Sequence, residues 1–165
     1  MECRLLGYAP VEPLPLLKKL VRAVRPGGSV AILAWSSETL LPGHPWLEAR
    51  LQAASAGMAP FSPGSSPRHQ FLRALGWFRQ ARLRQVMART LVGDAHAPLS
   101  PALRRALVAL FEMRWPDVET ELAPRAASEF RRLCGPDSPD FILDHPDYHA
   151  FYTYSMFQRK VPGRR

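Results

Sequence analysis

Histidine and aromatic residues are the side chains of this chain that could most readily take part in catalysis or ligand binding. His44, in the segment PGHPW, could accept a proton from a substrate or donate a hydrogen bond to it, or it could be a loop histidine held between prolines. His145 and His149 are four residues apart, but Pro146 lies between them and breaks the helix that a metal-binding pair would need. No Ser-His-Asp set can be recognised from the order of the residues. We therefore predict no metal site and assign no catalytic residue.

The aromatic residues allow two interpretations. Trp35 could stack on a substrate or pack in the core. Tyr148, Tyr152 and Tyr154 belong to an aromatic and β-branched segment, so packing within a sheet is the simpler interpretation of all three. The elements that would position these side chains decide which interpretation applies.

The segment LLKKLVRAVRPGGSVAILAW (16–35) predicts a helix, a tight turn and a buried strand. Its first part has apolar residues at helical spacing with basic residues between them. Pro26-Gly27-Gly28 ends the helix, and the reversal to a strand within three residues predicts a positive φ at Gly28. The continuous apolar run SVAILAW (29–35) is typical of a strand buried on both faces.

Sequence patterns after residue 35 predict further helices and two more strands. A region rich in Ser, Pro, Gly and Ala covers 36–67. Helices are expected at 46–56, 67–81, 100–115 and 124–133, and strands at 82–92 and 149–160. We expect helical insertions at about 38–66 and 98–135, within a single partial domain that spans 1–165.

Composition favours a folded protein of the cytoplasm. The chain has 165 residues, of which 47% are hydrophobic, and no apolar run approaches the ~18 residues of a membrane span. No leader pattern is visible, and Cys3 and Cys134 are far apart, which is typical of reduced thiols rather than of a metal site. We expect a cytoplasmic protein without a membrane partner.

The net charge of +8 is unevenly distributed along the chain. No acidic residue occurs between Ala49 and Gly93, whereas seven arginines do, from Arg50 to Arg89. Such a region could bind nucleic acid, or it could be a solvated surface of an Arg-rich protein. Aromatic residues within it recur at helical spacing and favour core packing, so a nucleic-acid partner is the less favoured alternative.

The order of these segments resembles the C-terminal half of a class I S-adenosylmethionine-dependent methyltransferase. The resemblance is carried by LLKKLVRAVRPGGSVAILAW, by LLPGHPWLEARL, by the helix and strand at 67–93 and by the closing YTYSMFQRKV. It covers nearly the whole chain. It implies an α/β fold that is the C-terminal half of a Rossmann-like sheet, with strands corresponding to five, six and seven. The last strand is then antiparallel and lies between the other two.

The resemblance also implies where S-adenosylmethionine would bind. In that family a glycine-rich turn after the first strand and an acidic residue after the second hold the cofactor, and this sequence shows neither. Residues 2–8 would be at most a remnant of the fourth strand, which would place Gly7 and Tyr8 near the cofactor unless they form a simple turn. The fragment is therefore expected to be inactive alone and to bind S-adenosylmethionine weakly or not at all.

The substrate edge follows from the same arrangement. Ligands of open α/β sheets bind beyond the carboxyl ends of the parallel strands, which here places Trp35 and Ser36 at that edge. The antiparallel last strand begins there, at Tyr148 and His149, and His44 lies in the adjacent loop. We expect substrate-binding residues among these five.

The predicted function is methyl transfer to a small-molecule acceptor, with this chain as the substrate-side half. Because the sulfonium leaving group is already good, proximity and orientation carry most of the catalysis. The alternative is a non-catalytic interaction module. An exposed strand edge at SVAILAW would favour a homodimer, or pairing with a missing N-terminal half.

Overall fold

Three strands alternate with helices and short 3₁₀ turns in the part of the chain that the structure describes. The computed structural model describes residues 12–58 and 66–161. The strands are β1 (Ser29–Thr39), β2 (Met87–His96) and β3 (His149–Lys160). The helices are α1 (Pro13–Ala23), α2 (Pro45–Ala53), α3 (Ser55–Met58), α4 (Ala74–Gln80), α5 (Pro101–Arg114) and α6 (Pro124–Cys134).

The three strands form one open sheet in the order β1–β3–β2. The N–H of Val161 donates to the carbonyl of Gly28, and farther along β1 the Ser36 hydroxyl donates to the carbonyl of Thr153, so β1 and β3 are antiparallel. Just after the last residue of β2, the N–H of Ala97 donates to the carbonyl of Tyr148, which directly precedes β3, so β2 and β3 are antiparallel as well. The predicted sheet, with the last strand antiparallel between the other two, is confirmed.

A Pro-Gly turn joins α1 to β1, as the sequence predicts. However, the glycine with positive φ is Gly27, at 80°, and not Gly28. The N–H of Gly28 donates to the carbonyl of Arg25 at 2.9 Å, so Pro26 and Gly27 occupy the two central positions of a type II turn. Gly28 is required for a different reason: a Cβ there would lie 2.5 Å from Cγ1 of Val24.

Strand β1 continues four residues beyond the predicted end at Trp35, to Thr39. The added residues are mostly polar, so an apolar run does not reveal them. The Ser36 hydroxyl lies 3.1 Å from both the Thr153 and the Ser155 hydroxyls on β3, and these side chains satisfy one another across the sheet.

The predicted strand at 82–92 begins later, at Met87, and runs on to His96. Residues 82–83 instead close helix α4. Arg82 adopts φ of 62°, and the N–H groups of Arg82 and Leu83 donate to the carbonyls of Arg79 and Phe78. This is a Schellman C-cap, with arginine in the position that glycine usually occupies.

The predicted helix at 67–81 is only half helical. Two 3₁₀ turns, at Pro67–His69 and Phe71–Arg73, precede α4. The Ser66 and Gln70 side chains accept hydrogen bonds from backbone N–H groups two residues later, which starts a new turn at each position.

The chain divides into two compact units, each with its own apolar core. Unit 1 contains the described residues 12–37, 66–92 and 153–161, and unit 2 contains 38–58 and 93–152. The buried core residues of unit 1 are Leu17, Val30, Ala74, Trp77, Phe78, Leu83 and Phe157. The largest side chains with almost no exposure in unit 2 are Tyr148, Phe141, Leu40, Leu41, Leu47, Leu51 and Val118. Among the described helices, none is long and apolar enough to cross a bilayer.

Candidate active site

A second Pro-Gly turn follows β1 and carries His44. Gly43 has φ of 83°, and the N–H of His44 donates to the carbonyl of Leu41 at 3.0 Å. With Pro42 and Gly43 as its central residues, LPGH forms a type II turn. The turn places His44 at the N-cap of α2, directly beyond the carboxyl end of β1.

His44 is paired with an acidic residue of helix α6. Its Nδ1 lies 3.0 Å from Oε1 of Glu129, and both side chains are about one third exposed, at 29% and 35%. A carboxylate accepts the proton of Nδ1 in this arrangement and leaves Nε2 as the nitrogen with a lone pair. The pair therefore has the geometry of an oriented base.

His44 lies on the wall of an open cleft of about 630 Å³ in unit 2. The cleft is bordered by the turn at 42–44, by Arg132 and Leu133 of α6, and by most of the segment 139–148. Its volume falls within the range of small-molecule sites. Tyr148, which directly precedes β3, also lines it.

Two of the three aspartates around the cleft are neutralised by arginines. The Arg104 guanidinium donates to both carboxylate oxygens of Asp144 at 2.8 Å, and this bidentate bond lowers the pKa of Asp144. Arg132 donates to Asp140 at 3.3 Å. Asp147 is exposed and has no ion pair with any described residue. The cleft is thus polar at its rim without a dominant charge.

Buried polar groups hold the base of the turn in place. The N–H of Leu40 donates to Oε1 of Glu48 at 2.6 Å, and the Tyr148 hydroxyl donates to the carbonyl of Leu40 at 3.3 Å. Burial raises the pKa of the Glu48 carboxyl, against the lowering effect of the backbone N–H bonds. Burial, and then the nearby Glu48 carboxylate, also raises the pKa of the Tyr148 hydroxyl. Tyr148 is therefore a neutral hydrogen-bond donor.

Cys134 is a free, buried thiol at the end of α6. Burial, followed by the charge of Glu48, raises the pKa of this thiol to about 12. A thiolate nucleophile at neutral pH is therefore disfavoured at this position.

A second polar cluster of unit 2 is centred on Arg114 of α5. Its Nε donates to Oε1 of Glu38 at 2.8 Å, with side-chain exposures of 6% and 5%. Its other nitrogens donate to the carbonyl of Gly57 and to Oε1 of Gln52, and Gln52 in turn donates to Glu38 at 2.8 Å. The cluster joins the end of β1 to helices α2 and α5.

The structure brings two of the five predicted substrate residues, His44 and Tyr148, into one cleft. Trp35 and Ser36 lie within β1 rather than beyond its end. The centre of the Trp35 ring is 5.5 Å from that of Tyr154, and the Ser36 hydroxyl donates to the carbonyl of Thr153 on β3. His149 is exposed at the start of β3 and does not line the cleft.

The remaining predictions for the site concern Gly7, Tyr8 and metal binding. Gly7 and Tyr8, assigned to the cofactor, lie outside the described residues. No group of three or more His, Cys, Asp or Glu side chains within 12–58 and 66–161 could hold a metal ion.

The sequence pattern does not reveal Glu129, which pairs with His44, or Arg132, which lines the cleft. Both lie in the segment SEFRR, where alternating charge and apolar spacing indicate an amphipathic helix and nothing more. Their role follows only from the packing of α6 beside the 42–44 turn.

Charge differs sharply between the two units. The described part of unit 1 has twelve Lys or Arg residues and one acidic residue, Glu12. The described part of unit 2 has seven arginines and twelve acidic residues. Eleven of the twelve cations of unit 1 are exposed. The chain's positive charge is thus concentrated in one unit.

Comparison of the chain with protein-family models and with curated proteins finds no match. Function is therefore inferred from the fold and from the site.

Proposed function

We propose that this chain forms the acceptor-binding part of an S-adenosylmethionine-dependent methyltransferase that acts on a small molecule. The observation that carries the proposal is the sheet order β1–β3–β2 with an antiparallel β3. It is the order that the resemblance predicts for strands five, seven and six. The Pro-Gly turn before β1 supports the same assignment.

The position of the cleft agrees with an acceptor site. Ligands of open α/β sheets bind beyond the carboxyl ends of the strands. The turn with His44 follows the carboxyl end of β1, and Tyr148 precedes the amino end of the antiparallel β3, so both residues belong to that edge.

The described residues do not fit the methyl donor itself. The resemblance assigns the donor to a glycine-rich turn after a first strand and to an acidic residue after a second strand. The described sheet contains three strands, and the proposal assigns β1, β3 and β2 to strands five, seven and six. We therefore derive no step through the donor, and we expect the 165-residue chain by itself to bind S-adenosylmethionine weakly.

Acceptor-dependent turnover of S-adenosylmethionine tests the proposal. The protein is isolated from its source cells through an affinity tag at its C terminus and incubated with the small-molecule extract of those cells. Formation of S-adenosylhomocysteine should require the extract. Formation no greater than that with heat-inactivated protein contradicts the proposal.

The charge of unit 1 favours nucleic-acid binding as a second candidate function. In the described part of unit 1, the exposed cations outnumber the acidic residues eleven to one, and such a surface attracts a polyanion. The test is fluorescence anisotropy with labelled duplex DNA at several salt concentrations, since neutralised phosphates make affinity fall steeply with salt. Arg79→Glu in unit 1 should weaken binding more than Arg131→Glu in unit 2. Equal effects, or no binding at low salt, reject this candidate.

A further inference from the structure

One ring nitrogen of His44, a residue that lines the cleft, is not engaged by Glu129. Nδ1 is paired with Glu129 at 3.0 Å, and Nε2 makes no hydrogen bond with the part of the chain that the structure describes. The side chain is 29% exposed and borders the cleft, so a ligand can reach it.

The floor of the cleft is apolar. Leu133, Phe141, Ile142 and Tyr148 line it with exposures of 5% or less. Two of the three cleft aspartates are paired with Arg104 and Arg132, which reduces the attraction for a cationic ligand, and Asp147 is left without an ion pair to the described residues. An apolar floor beside one oriented base suits a neutral aromatic molecule that bears an acidic hydrogen.

We infer that the cleft binds a phenolic acceptor whose hydroxyl proton passes to Nε2 of His44, an inference that rests on the proposed methyl transfer. The O–H bond breaks, its electron pair stays on oxygen, and an N–H bond forms on the imidazole. The products are a phenolate and an imidazolium paired with Glu129. The phenolate is the nucleophile that the proposed methyl transfer requires.

The acidity of its hydroxyl makes a phenol a better acceptor for this step than a less acidic hydroxyl compound. An ordinary phenol has a pKa of about 10 and water about 15.7, whereas an ordinary imidazole has about 6.5. Transfer from an ordinary phenol to an ordinary imidazole is therefore unfavourable by about three to four orders of magnitude, against about nine orders for water.

The probe is 4-nitrophenol, whose phenolate absorbs visible light and whose hydroxyl ionises near neutral pH. Titration of the 165-residue chain with this probe should show saturable binding and an increased phenolate fraction. His44→Ala should abolish the increase. His44→Gln, which keeps the side chain's polarity, should abolish it as well, while circular dichroism verifies that both variants fold.

Glu129 is a positioning residue, and its effect can be measured separately through the tautomer of His44. Nitrogen NMR should place the proton of neutral His44 on Nδ1, and Glu129→Ala should remove that preference. Glu129→Gln keeps an acceptor oxygen, so it should retain the tautomer yet lower the affinity for the probe by about tenfold. His96→Ala, at an exposed histidine of unit 2 outside the cleft, is the matched control and should change nothing.

The probe experiment needs no methyl donor, so it fails independently of the turnover assay. A phenolate signal that depends on His44 supports the inference even if the turnover assay is negative. A signal that persists in both His44 variants, or equal binding of benzylamine and 4-nitrophenol, overturns the inference even if methyl transfer is observed.

Discussion

Nδ1 of His44 lies 3.0 Å from Oε1 of Glu129, across 85 residues of sequence. This contact joins the turn after β1 to the middle of α6. It orients the imidazole and leaves Nε2 without a hydrogen bond to any residue that the structure describes. The proposed chemistry of the cleft therefore depends on the 42–44 turn, on α6 and on the buried Glu48 and Tyr148, which hold the base of the turn.

Gly43→Ala should destabilise the protein by about 1 kcal/mol, because φ of 83° places an alanine in the left-handed region. A Cβ there meets no neighbour, so the backbone is the only cause. Gly76→Ala is the matched control: it also has open space, but in a helix it should stabilise by about 0.5–1 kcal/mol. Denaturant unfolding measures both, and effects of the same sign would contradict the assignment of the turn.

Arg114→Ala should cost about 3–5 kcal/mol, because it leaves the buried Glu38 carboxylate without its cation. Arg131 pairs with Glu119 at 2.6 Å but with 60% of its side chain exposed, so Arg131→Ala should cost no more than about 1 kcal/mol. Urea unfolding of both variants checks the difference. Comparable losses would mean that the Arg114 cluster is solvated.

Glu48 should make stability depend on pH. Its pKa in the folded protein is raised above the ordinary 4.5, so the folded state holds the proton more tightly than the unfolded state does. This contribution is complete below 4.5 and is lost as pH rises through the folded value. Glu48→Gln keeps an acceptor for Leu40 and does not titrate.

The measurement for Glu48 is the difference in unfolding free energy between wild type and Glu48→Gln across pH. Relative to the variant, wild type should lose stability from acid to neutral pH. A difference that is constant, or that grows in favour of wild type, would show that Glu48 ionises without cost.

Arg82→Gly should stabilise the protein by about 1 kcal/mol, because Arg82 occupies the left-handed C-cap of α4 with φ of 62°. Arg79→Gly, inside the same helix, should instead cost about 1 kcal/mol. Thermal unfolding distinguishes the two. Destabilisation by both substitutions would argue that the Arg82 side chain, and not its backbone, matters.

The parts of the fold that the sequence predicts are those marked by local patterns, such as turns and apolar strands. Pro26 and Gly27 mark a turn wherever they occur together, and SVAILAW reads as a strand without tertiary information. The sheet order came from the family resemblance rather than from these patterns. The end of β1 was missed because its polar residues are stabilised by hydroxyls of β3, which are more than 110 residues away.

Only part of the candidate site can be predicted from the sequence. His44 could be singled out because its ring can accept a proton or donate a hydrogen bond, and Tyr148 because the predicted last strand begins there. Glu129 could not be found, since a glutamate on an amphipathic helix is typical of a solvated face. Pairing across 85 residues is a property of packing, which no local pattern encodes.

Transfer of a deuterated methyl group from S-adenosylmethionine tests the central claim most directly. The protein isolated from its source cells should place the label on a small molecule of the cell extract. His44→Ala should slow the transfer by about 100-fold or more, while His96→Ala should not. Absence of any deuterated small molecule, with the protein folded and the donor intact, would contradict the account.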